Sequence, residues 1–282
     1  MDISIPFNDQ PQELIYKTVN ETPLYISFLP PAAKKRENAP VAALICGGGW
    51  QIQSREAILG MFASLVAQLR QAGVCVVCMD YRVTSLFPGI TIAEEVADVL
   101  DALSYLRSYA SVLKIDTDRI VVSGHSAGGH ITMLMCNAPS KLFPTEYPDP
   151  VSSYAGCVPV SAPCFLYPSE LCPETLRMDY SYVFPGAVYN DGLAHLWSPY
   201  EYIDAGSPAT LLVHGAADDL VPDSNSLASY RKGLDAGADF TLIHPVNGGH
   251  CMEPMEAGMA VSPSFDEVQN KIAAWIIKTC DL

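Results

Sequence analysis

Gly124-His125-Ser126-Ala127-Gly128 sets a serine between two glycines, where the apolar run 120–123 gives way to the helical pattern 129–136. Small flanking residues let a strand and a helix approach closely at a sharp turn, which lifts a serine hydroxyl into the crevice at the strand's carboxyl end. The helix that starts there adds partial positive charge where an anion would develop. Nucleophilic acyl transfer is the chemistry such a serine performs; a tight glycine turn with a buried serine is the bland reading. A hydroxyl needs a base, and the chain holds six histidines. His125 lies inside the turn itself and His130 on the following helix. His195 falls in an irregular stretch, and His214 and His244 belong to strand segments. His250, in Asn247-Gly248-Gly249-His250 just past the last strand-like run, can return over the sheet edge and is the expected base.

That base needs an orienting carboxylate. The segment after strand 209–213, His214-Gly215-Ala216-Ala217-Asp218-Asp219, offers two adjacent candidates, whereas Asp204 precedes the strand and Asp235 lies on the next helix. An oxyanion needs bare N–H donors, and Cys46-Gly47-Gly48-Gly49-Trp50 supplies three glycines at the end of apolar run 41–46. Together with the Ala127 N–H these would hold a tetrahedral oxyanion. A phosphate-cradling loop is the alternative, but neither a P-loop lysine nor G-x-G-x-x-G spacing accompanies it.

The elements that must carry these residues alternate between strand-like and helix-like patterns, the mark of an α/β layer architecture with a mostly parallel sheet. Strands are expected at 14–19, 24–29, 41–46, 74–79, 120–123, 157–161, 209–214 and 240–245, and helices at 57–71, 93–113, 129–136, 224–236 and 264–278. Between residues 138 and 208 the regularity breaks down into a Pro-, Tyr- and Ser-rich stretch. Its part from 162 to 199 reads as a lid or binding loop, or else as a surface excursion closing the sheet edge.

Composition bounds the rest. Among 282 residues, 31 Asp+Glu against 16 Lys+Arg give a formal charge of −15, which disfavours nucleic acid and anionic membrane surfaces as partners. Half the chain is apolar (49%) and 17% is charged, so disorder is excluded. Nothing approaches a membrane span of roughly 20 apolar residues, and the first residues lack a signal-peptide pattern. Nine scattered cysteines fit reduced core thiols and a cytoplasmic location. Cys75 and Cys78, three apart on a strand, point to opposite faces and are expected in the core rather than in a redox pair. Cys157, Cys164 and Cys172 have no zinc-site spacing.

With these motifs in order, nearly the whole chain from residue 24 onward resembles an α/β-hydrolase of the esterase/lipase branch, related to hormone-sensitive lipases and bacterial acetyl or feruloyl esterases. Asp80-Tyr81-Arg82, the lead-in 116–120, Ser126-Ala-Gly-Gly-His130, Asp218 and Gly249-His250 all carry the likeness. The resemblance implies an α/β-hydrolase fold in a single domain over 1–282: a mostly parallel central sheet, helices on both faces and a short lid-like insert at about 162–199. It further implies Ser126 as nucleophile, His250 as base, Asp218 as acid (the H-G-x-x-D pattern), and Gly48, Gly49 and Ala127 as the oxyanion hole, with no cofactor and no metal. Cys46 stands where relatives carry histidine, so a side chain bracing that loop is lost. Trp50, Tyr81 and Tyr182 are candidates for the acyl or alcohol pocket, or for ordinary packing. The implied activity is hydrolysis of short-acyl esters, acetyl groups included, through an acyl-enzyme. An amidase or small peptidase with the same triad, and a non-catalytic ligand-binding relative, are the alternatives.

Overall fold

The computed structural model describes residues 10–143, 154–171 and 181–282, with the backbone alone at Tyr182. Eight strands, β1 (Gln12–Val19), β2 (Thr22–Leu29), β3 (Ala39–Ile45), β4 (Cys75–Met79), β5 (Ile115–His125), β6 (Gly156–Val160), β7 (Thr210–Val213) and β8 (Phe240–Ile243), form one sheet in the order β1-β2-β4-β3-β5-β6-β7-β8. The β1–β2 and β2–β4 pairs are antiparallel and every other pair is parallel. Every residue of β3, β4 and β6 is buried, as required of strands covered on both faces. The expected α/β-hydrolase architecture is the one present.

Helices α1 (Arg55–Met61), α2 (Ala63–Ala72), α3 (Ile92–Ser108), α4 (Ala110–Leu113), α5 (Ala127–Asn137), α6 (Asp191–Leu196), α7 (Ser224–Ala236) and α8 (Phe265–Thr279) supply the cover. Helix α2 pairs with α8 through the Phe62 and Phe265 rings, 5.7 Å apart, and through Leu65 N–H donating to Gln269 Oε1 at 3.0 Å. Helix α5 packs against β5, β6 and α3.

Several boundaries differ from the sequence expectation. The periodic run 57–71 is two helices parted at Phe62, whose φ/ψ of −101/30 leaves the helical region. The run 93–113 likewise breaks at Tyr109. An apolar period survives such a break when both pieces face one core, so the pattern cannot reveal it. Strand β5 starts at Ile115, ahead of the expected run, since residues 116–119 are polar and themselves partly or fully exposed and so interrupt the apolar pattern. Cys75 and Cys78 lie fully buried in β4; Cys172 falls outside the described residues.

The chain runs β3, β4 on one side and then returns to place β5 on the other side of β3. Such a reversal opens a crevice at the carboxyl ends of the two diverging strands. Ile45 of β3 pairs with Gly124 of β5, so the glycine loop and the serine turn leave the sheet side by side.

Candidate active site

Ser126 has φ 56 and ψ −122, a conformation strained for a non-glycine residue, between the end of β5 and the start of α5. Its N–H donates to Val160 O at the end of β6, at 2.8 Å. The turn closes only because its flanks are glycine: a Cβ on Gly124 would lie 2.3 Å from Gly128 O, and one on Gly128 would lie 2.2 Å from Ile45 O. Gly47 is equally confined, since a Cβ there would sit 2.7 Å from His125 O and 3.1 Å from Ser126 Cβ. Gly47 is thus laid against the serine, whereas a Cβ on Gly48 would meet Ile52 O. Gly48 O accepts from Gln51 and Ile52 N–H, both at 3.1 Å, which folds the loop into a turn. Among the described residues, no protein acceptor is paired with the N–H of Gly47, Gly48, Gly49 or Ala127.

His250 rides the turn-rich segment after β8, and its Nδ1 meets Asp218 Oδ2 at 2.8 Å. Asp218 reaches it from the segment after β7, with its side chain fully buried. Its Oδ1 accepts from Leu220 N–H at 3.0 Å and Val221 N–H at 2.8 Å. Oδ2 also faces His214 Nε2 at 3.2 Å. Burial alone would raise this carboxyl, but hydrogen bonds from His214 and His250 outweigh it and hold it well below the ordinary carboxylate range. Asp219 is exposed and makes no such contact. The chain's two adjacent aspartates therefore divide, and Asp218 is the one at the imidazole.

The remaining histidines have other partners. His130, fully buried, bonds Trp197 O at 2.7 Å beneath the edge of Trp50. His195 pairs with Glu201 and His244 with Asp223. His125, inside the serine turn, lays its ring against that of His250, the centroids 4.8 Å apart. His214 directly follows β7, and its contact with Asp218 crosses a turn that sequence spacing alone does not close.

Asp80-Tyr81-Arg82 is scaffolding. Asp80 accepts from Tyr25 N–H, Gln53 and Arg55, and Arg82 pairs with Asp98. Tyr81, 1% exposed, donates its hydroxyl to Cys46 O at 2.8 Å. The glycine loop is thus braced through the backbone of Cys46 by a residue that follows β4. Trp50 is 1% exposed and packs in the core; the Tyr182 side chain lies outside what is described.

Beside the glycine loop opens a pocket of about 240 Å³ whose lining includes Cys46, Gly47, Gly48, His125 and Cys251 together with residues 52–54, Ala57, Ile58 and Met61. The described parts of 162–199 do not line it. Phe165 and Leu166 are buried, their N–H groups bound by Asn225 at 3.1 Å and Ser198 at 2.8 Å.

Residues 27–232 match the BD-FAE family. The chain belongs to the BD-FAE family. Among curated relatives of this BD-FAE protein, the probable isoprenylcysteine alpha-carbonyl methylesterase ICME of Oryza sativa subsp. japonica is 32% identical over 45% of the chain and 26% of its own length. Esterase LipQ of Mycobacterium tuberculosis is 28% identical over 71% of the chain and 47% of its own length. The chain thus spans between about a quarter and a half of those two relatives. Among solved structures, Thermogutta terrifontis esterase 2 phosphonylated by cyclosarin superposes with TM-score 0.75 at 22% identity, over 95% of this chain and 94% of that one. The same esterase bound to propionate gives TM-score 0.71 at 24% identity, over 96% and 92%. These likenesses establish the α/β-hydrolase fold. No helix among the described residues is long and apolar enough to cross a membrane.

Proposed function

We propose that this BD-FAE protein is a serine carboxylic ester hydrolase acting on small esters through an acyl-enzyme. The observation that carries the reading is the 2.8 Å bond from His250 to a buried Asp218, next to a serine held at a strained strand-to-helix turn. In this reading Ser126 Oγ attacks the ester carbonyl and His250 takes its proton, then returns it to the departing alcohol; water repeats the sequence to release the acid. Asp218 fixes the tautomer, with the proton on Nδ1, and stabilises the imidazolium that forms. The oxyanion falls to backbone N–H donors. Gly48, Gly49 and Ala127 keep the roles the family likeness gives them, and the packing of Gly47 on Ser126 supports adding it.

The pocket of about 240 Å³, with Ile52, Ala57, Ile58 and Met61 in its lining, suits a short acyl chain. The names of the mycobacterial and plant relatives, an esterase and a methylesterase, support ester chemistry. The reading of 162–199 as a lid rests on its place in the chain alone, between β6 and β7.

The test is a hydrolysis screen over p-nitrophenyl esters of increasing acyl length, acetylated sugars and the matched acetanilide, with Ser126→Ala as control. Turnover of short esters, none of the anilide and none by a folded Ser126→Ala supports the proposal. Anilide turnover matching the esters makes the protein an amidase, and absence of any turnover makes it a binding relative.

A further inference from the structure

The peptide joining His250 to Cys251 is held at both ends. Its carbonyl oxygen lies 2.8 Å from Ser161 Oγ and 3.0 Å from His125 Nε2, and its N–H donates to Glu253 Oε2 at 2.7 Å. A carbonyl oxygen has two lone pairs, so this one is saturated. Nε2 of His125 faces an acceptor and therefore carries the ring proton, leaving Nδ1 unprotonated toward Gly47.

Both donors come from the frame of the nucleophile. His125 directly precedes Ser126, and Ser161 directly follows Val160, whose carbonyl holds the Ser126 N–H. Ser161 is fully buried, is held at φ 48 and donates its N–H to Val213 O at 2.8 Å, so the backbone that bears the hydroxyl is fixed to the sheet. By contrast, His250 sits among turns after two glycines, and its ring bond to Asp218 fixes one atom of the imidazole without fixing the backbone that bears it.

We propose that His125 and Ser161 are positioning residues that clamp the main-chain carbonyl of His250 and so hold the catalytic imidazole in register with Ser126. The proposal rests on the reading of Ser126 and His250 as nucleophile and base. It accounts for a histidine inside the serine turn, a position where glycine packing makes no demand for one. It also requires that His125 stay uncharged while His250 cycles through its imidazolium, since two cationic rings 4.8 Å apart would repel. Burial first, and the charge of His250 second, hold the His125 pKa down to about 4.

Either donor alone leaves the oxygen partnered, so the two losses are not additive. A catalytic group displaced by about 1 Å costs on the order of 100-fold in rate. Ser161→Ala and His125→Leu should each lower kcat by roughly three- to fivefold, and the double variant by about 100-fold, beyond the roughly 25-fold of two independent losses, with KM of Ser161→Ala within about twofold of the parent. His125→Gln restores an N–H donor of similar reach and should recover at least about tenfold over His125→Leu in the Ser161→Ala background. A role in packing alone would lower thermal stability, leave kcat of the folded protein unchanged and show no rescue by Gln. Should His125→Leu fail to fold, Ser161→Ala, which removes one oxygen atom, carries the test: a several-fold fall in kcat at constant KM supports the clamp, and an unchanged kcat overturns it. Ser126→Ala runs alongside. If it is inactive while the double variant keeps kcat within about threefold of the parent, the clamp is wrong and the triad stands. If Ser126→Ala is fully active, the triad reading itself has failed.

Discussion

Nε2 of His214 lies 3.2 Å from Oδ2 of Asp218, the same oxygen that receives the His250 ring. The His214 ring is in turn fixed by Ser226 Oγ at 2.7 Å and Val221 O at 2.9 Å. One buried carboxylate thus takes hydrogen bonds from His250 and from two backbone N–H groups, and shares the His214 Nε2 proton with Val221 O, which holds it as an anion.

His214→Leu removes one of those donors and leaves Ser226 Oγ unpartnered in the core. An unsatisfied buried polar group costs about 1–3 kcal/mol, so chemical denaturation should show a loss of that size. The Asp218 carboxyl should rise, and the acid limb of the activity profile should move to higher pH. A variant with parental kcat, stability and pH profile would mean that His214 is indifferent to the site.

The adjacent aspartates should separate cleanly. Asp218→Asn keeps the shape but loses the charge that stabilises the imidazolium, and kcat should fall by up to about 10⁴. Asp219 is exposed, and its conversion to Asn should cost well under about tenfold. Steady-state kinetics on a short ester measures both; a reversal of the two effects would move the acid by one residue.

Acyl length should be set by the wall that α1 presents. Met61→Ala enlarges the pocket and Ala57→Leu fills it. A methylene gained or lost in an apolar pocket is worth about 1–3 kcal/mol. The ratio of kcat/KM for hexanoyl over acetyl esters should rise about tenfold or more in the first variant and fall in the second. Equal scaling of all substrates would place the acyl chain elsewhere.

Two neutral buried histidines make stability depend on pH. Burial pushes His125 and His130 each from 6.5 down to about 4. The unfolded chain binds these protons near 6.5 and the folded protein only near 4, so unfolding takes up protons between those values. Stability is flat in these groups above about 6.5 and falls as pH drops toward 4, by on the order of 3 kcal/mol for each ring. Asp218, with its folded carboxyl depressed, stabilises the protein above its unfolded value of 3.8 and extends the loss to lower pH. Denaturation across pH 4–7 should show the slope, and His130→Gln should remove about one proton from it. A flat profile would contradict the assigned burial.

The sheet was legible because its strands are unbroken apolar runs: Val41 to Ile45 and Cys75 to Met79 need no alternation when both faces are covered. Ser126, His250 and Asp218 were legible because each follows a strand end at which glycines or turn residues admit a loop. What stayed hidden depends on meetings across long sequence separation. His125 meets His250 across 125 positions and Ser161 meets it across 89, and neither carries a local signature. The placement of Gly47 against Ser126 was equally invisible, since three consecutive glycines look alike until the turn is built.

The account's central claim is that Ser126 forms a covalent acyl-enzyme with His250 as its base, and covalent capture tests it most directly. Intact mass spectrometry of the protein after a fluorophosphonate should show one adduct per chain, mapped by peptide fragmentation to Ser126. The adduct should be absent in Ser126→Ala and form at least about 100-fold more slowly in His250→Ala. No adduct on active, folded protein, or an adduct on any other residue that accounts for the loss of activity, would contradict it.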